Sequence, residues 1–371
     1  MGVWVALPVA VVLLIVALAL VSVAFRTRRE GLVTMGQFLE AEKPRQAAFK
    51  ASSPHFSKAA RSQGFYKGKR YPFCLPQERA EENLFSEIRA AAWDYFKQHG
   101  IAWHDGTDEK PTNHLCGSQV CCVNFLFPPR KDLEEATSIL AKAIPGLRRV
   151  ERIEFEYTGP ESATEWLGEP PGGKRGQNRT SIDAAVWWRG PGNKTRLTLV
   201  EWKYTEPSFG KCGGDRSAGK DQQPRCDTLK VRDIRPVDDC YVASGEDAQT
   251  SRHYWEHLVE AGISVERFGD HLGCPFRGPF YQLMRQYLLA AYCRANLSGV
   301  DNVDVIVIGF RNNRNLLRVP RHLAHLGQDV ESAWNNMLTT APPLRHVFVE
   351  TMLAGAPSDD WREYIRERYG V

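Results

Sequence analysis

The sequence predicts an α/β protein: a mixed β-sheet flanked by helices and preceded by one transmembrane helix at the N-terminus. Three observations predict this fold class. Residues 181–188 and 197–204 have the composition of two adjacent strands joined by a turn. Residues 280–297 then have the spacing of a buried helix, and residues 303–310 that of a buried strand. Residues 3–25 are apolar and uncharged, and about 20 such residues suffice to span a bilayer as a helix.

The segment after this apolar run indicates its orientation. Arg26, Arg28 and Arg29 follow it directly, and the positive-inside tendency places that end in the cytoplasm. We therefore expect a single-pass protein of the cell membrane whose C-terminal part is cytoplasmic. A cleaved signal peptide is the alternative, but no basic residue precedes the run, and the run is long for a signal sequence. A misassigned start codon is a third interpretation.

The remaining elements follow in order. Residues 30–70 are polar and basic with little periodicity, which is typical of a linker. Residues 207–235 are rich in Gly, Asp and Arg, which indicates an insertion or a long loop. The other predicted elements are a helix at 81–98, a helix or strand at 118–127, a helix at 132–143 capped by Asp132, a strand at 150–158, and helices at 252–261, 331–338 and 360–369.

The strand pair carries charged side chains in apolar surroundings, where burying a charge is costly. Alternate residues of a strand face the same side, so Glu201 and Lys203 project together. A hairpin through residues 189–194 would bring Asp183 near Glu201. Two carboxylates and a lysine are suited to hold a divalent cation and activate a water beside a phosphate. A weak surface ion pair between Glu201 and Lys203 is the alternative.

The spacing of these residues, D-x17-E-x-K, resembles the PD-(D/E)XK nuclease superfamily. Longer stretches resemble a bacterial branch of restriction-endonuclease-like proteins: residues 81–89, 113–127, 180–188, 200–206 and 279–290. The resemblance covers roughly residues 70–320. It implies a restriction-endonuclease-like fold and a Mg²⁺- or Mn²⁺-dependent hydrolysis of DNA that leaves a 5′-phosphate.

The resemblance also implies roles for individual residues. Asp183, Glu201 and the backbone carbonyl of Trp202 would bind Mg²⁺, which prefers oxygen ligands. Lys203 would orient or deprotonate the attacking water and offset charge on the phosphate. The superfamily adds an acidic residue from the first helix, and Glu82 is the candidate that lies in a matching stretch. The rival candidates for this acidic position are Glu81, Glu87 and Glu169.

Two residues of the helix after the strands are further candidates by resemblance. Related nucleases place a Gln and a Tyr there, which points to Gln282 and Tyr287. Their spacing is not the usual i, i+4, and packing in the core is the alternative for Tyr287.

Cysteines suggest a second site. The chain has nine, and a cytoplasmic location argues against a disulfide framework. Four that follow the strand pair are candidates for zinc or an iron–sulfur cluster: Cys212, Cys226, Cys240 and Cys274. The close C-x2-C pair of a zinc ribbon is absent, so buried thiols are the alternative. His271 and Cys274 are the most ligand-like local pair.

These inferences combine into one expectation. We expect a transmembrane anchor with a basic flank at 1–29, a juxtamembrane linker at 30–70, a nuclease-like domain at 71–320 with an insertion near 207–275, and a helical extension at 321–371. The net charge of +4 permits binding to a polyanion without requiring it. The expected partner is DNA, with RNA as an alternative, and a role in defence or restriction follows by analogy. The oligomeric state is open, a dimer being one alternative.

Two other functions remain open at this point. One is a non-catalytic nucleic-acid-binding or assembly protein on the same fold. The complete set of Asp183, Glu201 and Lys203 argues against it, because a degenerate member usually loses one of the three. The other is a membrane protein that senses metal or redox state through its cysteines.

Overall fold

The computed structural model describes residues 36–107, 109–216, 223–240, 242–243, 251–355 and 359–371. The apolar run at residues 3–25, predicted to be a transmembrane helix, lies outside these residues. Among the helices that the structure describes, none combines the length and the apolar character needed to cross a membrane. Residues Phe38–Val371 form one compact unit.

A mixed sheet of five strands forms the centre of this unit, and the sequence predicts the mixed sheet and four of its strands. A separate antiparallel hairpin precedes it, made of β1 (Gly64–Tyr66) and β2 (Lys69–Tyr71). The strands of the central sheet, in spatial order, are β3 (Arg149–Tyr157), β4 (Ile182–Arg189), β5 (Thr195–Trp202), β6 (Asn302–Gly309) and β7 (Arg345–Phe348). The strands β3, β4 and β5 pair antiparallel, whereas β5 with β6 and β6 with β7 pair parallel.

Helices surround the sheet. The α-helices are α1 (Gln37–Ser52), α2 (Arg89–Gln98), α3 (Ser118–Leu126), α4 (Leu133–Leu140), α5 (Ser162–Trp166), α6 (Gly213–Arg216), α7 (Gln223–Thr228), α8 (Pro236–Asp239), α9 (Phe280–Asn296), α10 (Val330–Asn335), α11 (Val349–Leu353) and α12 (Asp360–Tyr369). Short 3₁₀ helices lie at Gln77–Asn83, Ser86–Ile88, Pro129–Lys131, Pro191–Asn193, Val231–Asp233, Val265–Phe268 and Arg321–Leu323. Asp132 caps α4, as predicted, by accepting hydrogen bonds from the backbone N–H groups of Glu134 and Glu135.

Both faces of the sheet are covered by apolar side chains. On β4, Ala184 and Val186 belong to the cluster that includes residues of α1, α2, α3 and α12. Ala185 and Trp187 belong to the opposite cluster, which includes most of α9 and residues of α10. Because β4 and β5 are covered on both sides, charged residues at their ends are held away from bulk water.

The predicted linker differs from the structure, because α1 lies within residues 30–70. The inward face of α1 combines the apolar Phe49 with three buried polar side chains, those of Glu42, Gln46 and Lys50. Gln46 donates to the Tyr204 hydroxyl, and Lys50 Nζ donates to the Cys74 carbonyl at 2.8 Å. Because polar residues interrupt this face, hydrophobic periodicity does not reveal the helix.

The C-terminal region also differs from the predicted helical extension at 321–371. It contributes β7, the outermost strand of the sheet, and ties back to α1 through Arg368. The Arg368 side chain is fully buried and donates to Gln46 Oε1, to the carbonyl oxygens of Asn83 and Leu115, to the Asn83 side chain and to the Tyr364 hydroxyl. This segment is therefore part of the same core.

The helix predicted at 252–261 is wrong as well, since these residues form consecutive turns. Side-chain contacts fix them: Tyr254 donates to Glu169, and the His257 ring stacks on Trp166.

Candidate functional site

The β4–β5 hairpin brings the predicted residues together. Its register pairs Ala184 with Val200, so Asp183 and Glu201 occupy the next positions on neighbouring strands. The backbone N–H of Trp202 donates to Asp183 Oδ2 at 2.7 Å. Lys203 Nζ lies 2.7 Å from Glu201 Oε1, and both side chains are buried. Asp183 is partly exposed.

A third carboxylate, Glu156, lies beside these residues and is absent from the predicted set. Strand β3 pairs with β4 through Phe155 with Ala184 and Tyr157 with Ile182, which places Glu156 level with Asp183. Glu156 is 2% exposed and interacts electrostatically with Asp183. We call Glu156, Asp183 and Glu201 the carboxylate cluster.

The backbone of Glu156 adopts an unusual conformation. Its φ is +47°, in the left-handed region that side chains other than glycine rarely occupy. Its side chain accepts hydrogen bonds from Gln119 at 2.7 Å and from Ser181 at 3.2 Å, and its carbonyl accepts one from Arg175 at 2.6 Å. Such strain persists where surrounding contacts fix it, and it is concentrated at functional sites.

Helix α9 holds the cluster from the opposite side through two glutamines at i, i+4. Gln282 Nε2 donates to Glu201 Oε1, and Gln286 Nε2 donates to Glu201 Oε2. The side-chain oxygen of Gln282, Oε1, lies 3.3 Å from Lys203 Nζ and accepts a hydrogen bond from the Gly210 N–H at 2.7 Å. Both carboxylate oxygens of Glu201 and the Lys203 ammonium are thereby positioned by one helix.

Of the two predicted residues on α9, Gln282 contacts Glu201 and Lys203, and Tyr287 does not. The Tyr287 hydroxyl donates to the Pro342 carbonyl, and its ring packs edge-on against Trp334, in line with the alternative of core packing. The i, i+4 signal was present in the sequence, but as Gln282 with Gln286.

Charge within the cluster shifts its protonation equilibria. Burial, together with the charges of Glu201 and Glu156, raises the pKa of Asp183 well above its ordinary value. Burial also raises the pKa of Glu201, against the opposing charge of Lys203. For Lys203, burial alone would lower the pKa, but the charges of Glu201, Glu206 and Asp183 outweigh it and raise the pKa. Lys203 is therefore an ammonium ion at neutral pH.

The donor set fits a divalent cation. When ionised, three carboxylates against one ammonium leave an excess of negative charge in a buried region, which is unfavourable unless a cation offsets it. Carboxylate oxygens are the ligands that Mg²⁺ and Mn²⁺ prefer. Gln286 Oε1 is also buried and makes no hydrogen bond to the described residues, so it can accept one from a further group. The Trp202 N–H, not its carbonyl, makes the contact with Asp183, and the carbonyl as a ligand stays a prediction.

A cleft of about 830 Å³ opens beside the cluster. Lys203, Gln282 and Gln286 reach it from the site. Its described lining also contains Lys211, Arg252 and Arg285, against the acidic Glu206. The cleft can therefore admit an anionic substrate to the Lys203 side of the carboxylate cluster.

Glu82 does not join the cluster, which corrects that assignment. Its carboxylate accepts hydrogen bonds from the Ser57 N–H at 2.6 Å and the Ser57 hydroxyl at 2.7 Å, and it lies near Arg79. It joins the 3₁₀ helix Gln77–Asn83 to the segment that contains Ser57. The fourth acidic candidate in the prediction, Glu169, binds Thr180, Tyr254 and Arg285, and so supports the cleft wall instead of the cluster.

The four candidate cysteines, Cys212, Cys226, Cys240 and Cys274, line one small cavity. The structure differs from the predicted pairing of His271 with Cys274. The His271 ring stacks on the ring of His325, with 3.5 Å between the ring centroids. His271 is not among the residues that line the cysteine cavity.

The raised pKa of Asp183 predicts how stability changes with pH. Because the folded-state pKa exceeds the unfolded value, the stabilisation is complete below the unfolded pKa and is lost as pH rises through the folded pKa. Asp183→Asn keeps an acceptor for the Trp202 N–H and removes the charge. We expect it to stabilise the metal-free protein at about pH 8 by about 0.5–2 kcal/mol, and by less at about pH 5.

Urea unfolding in the presence of a chelator measures this difference. Asp94→Asn, at an exposed position of α2, is the matched control and should behave as the parent at both pH values. An Asp183→Asn variant with the parent's pH dependence would contradict the charge argument.

Comparisons with known proteins identify the family of the chain. No curated protein and no solved structure matches the chain. One family model does match, and it covers nearly all of the described residues. The chain belongs to the restriction-endonuclease-related family REase-ARP, described as Restriction Endonuclease associating with ARP, whose model matches residues 35–370.

Proposed function

We propose that this protein is a metal-dependent nuclease of the PD-(D/E)XK type that hydrolyses phosphodiester bonds in DNA. One observation carries the proposal: a carboxylate cluster that is buried except for part of Asp183 faces one lysine. Two glutamines of α9 fix Glu201 of this cluster, and one of them also contacts the lysine. Membership of a restriction-endonuclease-related family supports it. A purely structural ion pair would need one carboxylate for the lysine, whereas this site gathers three.

The carboxylate cluster would hold Mg²⁺ or Mn²⁺, with Glu156 in the acidic position first assigned to Glu82. A divalent ion bound there supplies Lewis acidity toward the phosphate. Gln282 keeps Lys203 directed at the cleft, because Gln282 Oε1 lies 3.3 Å from Lys203 Nζ. Gln286 Oε1, which lacks a hydrogen bond to the described residues, is suited to orient the attacking water.

Lys203 acts in this proposal as a fixed positive charge. Its raised pKa in the metal-free protein favours the ammonium form, which supplies this charge. It offsets the charge that develops on the phosphate oxygens as the bond to the leaving oxygen breaks. Side chains along the cleft, including Lys211 and Arg252, would contact the DNA backbone, which gives affinity without sequence preference.

Cleavage of plasmid DNA by the purified full chain tests the proposal. We expect hydrolysis with Mg²⁺ or Mn²⁺, none with a chelator, and none for Asp183→Ala. Asp94→Ala is the matched control and should cleave as the parent does. An inactive parent, or an active Asp183→Ala, would sink the proposal. The same assay with RNA distinguishes the two substrate classes.

An assembly role on the same fold is the competing function, and the family description names an association with ARP. DNA that binds without being cleaved under any metal condition would favour that role.

Attachment to a membrane through residues 3–25 is a separate proposal that rests on their apolar, uncharged sequence. Cell fractionation tests it: the full chain should sediment with membranes, and a variant lacking residues 3–25 should not. Recovery of the full chain in the soluble fraction would contradict it.

A further inference from the structure

Four cysteines distant in sequence converge on one small cavity. Cys212, Cys226, Cys240 and Cys274 all line it, and its volume is about 20 Å³. The rest of its lining is mostly apolar or aromatic, with one cation: Val242, Trp255, Phe276, Arg277, Tyr281 and Met284. Cys226 lies in the short helix α7, and Cys240 directly follows the short helix α8, so the cavity joins segments that are far apart in the sequence.

Backbone contacts fix two of the cysteines against each other. The Cys274 N–H donates to the Cys226 carbonyl at 2.8 Å, and the Gly273 N–H donates to the Leu229 carbonyl at 2.8 Å. Gly273 has a φ of +96°, and a Cβ there would lie 3.1 Å from the Cys226 carbonyl oxygen. A glycine is required at this position because the backbone conformation is left-handed and the two segments approach closely.

N–H groups point at the sulfur atoms. Trp255 Nε1 donates to Cys240 Sγ at 3.3 Å, and the Phe276 backbone N–H donates to the Cys274 sulfur. Such bonds stabilise thiolates and tune the metal centres that thiolates bind.

We propose that Cys212, Cys226, Cys240 and Cys274 hold a [4Fe–4S] cluster. Deprotonated thiols are the usual ligands of such clusters, and an apolar wall keeps water away from the iron. Each thiol loses its proton on binding iron, and no electron transfer is required for assembly from a preformed cluster. Arg277, which is paired with Asp227, adds a positive charge next to the negative cluster.

The spacing of the cysteines favours a cluster over a single zinc ion. Four sulfurs around tetrahedral zinc lie about 3.8 Å apart. Among the described residues, the group whose ligand atoms all lie within 4.8 Å of one another is His253, Glu256 and His257, not the cysteines.

The position of the cluster connects it to the cleft. Val242 and Tyr281 line both the cysteine cavity and the large cleft, and Tyr281 precedes Gln282 on α9. A bound cluster would thus brace one cleft wall. Any effect on DNA cleavage rests on the proposed function, whereas metal content does not depend on it.

Metal analysis of the full chain purified without oxygen tests the proposal. We expect about four iron and four sulfide per chain, with a broad visible absorbance that dithionite bleaches. Cys240→Ser and Cys274→Ser should lose most of this iron and colour. Cys293→Ser replaces a buried thiol outside the cavity and should retain both.

The possible results of these measurements lead to different conclusions. One zinc per chain without colour would overturn the cluster, and so would a parent that stays colourless after anaerobic incubation with iron and sulfide. If the cysteine variants do not fold, the Mössbauer spectrum of the unsubstituted chain decides, because only a [4Fe–4S] spectrum supports the proposal. Iron bound in the parent but DNA left uncut would retain the cluster and reject the nuclease.

Discussion

Lys203→Ala should slow metal-dependent DNA hydrolysis by about 10²–10³-fold, the usual cost of removing one fixed group that stabilises the transition state. The physical reason is the site's charge balance. Lys203 is the ammonium that faces the carboxylate cluster, and its raised pKa keeps it charged throughout the neutral range. Without it, the negative charge developing on the phosphate would face the cluster directly. Single-turnover rates at saturating Mn²⁺ measure the loss separately from metal binding.

Two comparisons make this expectation specific. Lys194→Ala removes an exposed lysine from the turn of the same hairpin and should leave the rate unchanged. The metal-free form of Lys203→Ala should also unfold more easily than the parent, since Glu201 loses its ion pair. Binding of Mn²⁺ should restore part of that stability. A Lys203→Ala variant that cleaves at the parent's rate would remove the lysine from the mechanism.

Arg368→Ala should lower the free energy of unfolding by about 3–5 kcal/mol, because several buried acceptors lose their donor at once. The carbonyl oxygens of Asn83 and Leu115 are two of them. Gln46 on α1 loses the same partner, so the contact between the two ends of the compact unit weakens. Urea unfolding followed by tryptophan fluorescence measures the change.

Arg148→Ala is the matched control at an exposed position and should change stability by less than about 0.5 kcal/mol. Equal stability of the two variants would mean that the buried acceptors around position 368 find other donors.

Local pattern was sufficient to predict part of the candidate site. Asp183, Glu201 and Lys203 lie on two strands joined by a short turn, so side-chain alternation and one hairpin determine their proximity. Local pattern was not sufficient to predict Glu156, because the position of its side chain depends on how β3 pairs with β4 and on a left-handed backbone conformation. A clue was available, since Glu156 is a charged residue near the end of an otherwise plausible strand.

Two elements lack a periodic apolar pattern, and the sequence did not reveal them. The inward face of α1 carries Glu42, Gln46 and Lys50, which interrupt any apolar stripe although the helix is well packed. The short strand β7 is four residues long and pairs with β6, which lies far away in the sequence, so local pattern does not indicate it. In contrast, the cysteine set was predicted from residue type alone, because few other residues would be gathered in this way.

The aromatic contacts behind the site make its assembly depend on the order in which the chain is synthesised. Trp202, whose N–H holds Asp183, packs its ring on Phe125, and Phe125 in turn contacts Tyr369. A ribosome therefore releases the residues of the carboxylate cluster long before it releases the ring that supports them. A nascent chain that ends before α12 would have every residue of the cluster but lack the Tyr369 ring that packs on Phe125. The contacts behind the site are therefore completed only after the residues of the site itself have been synthesised.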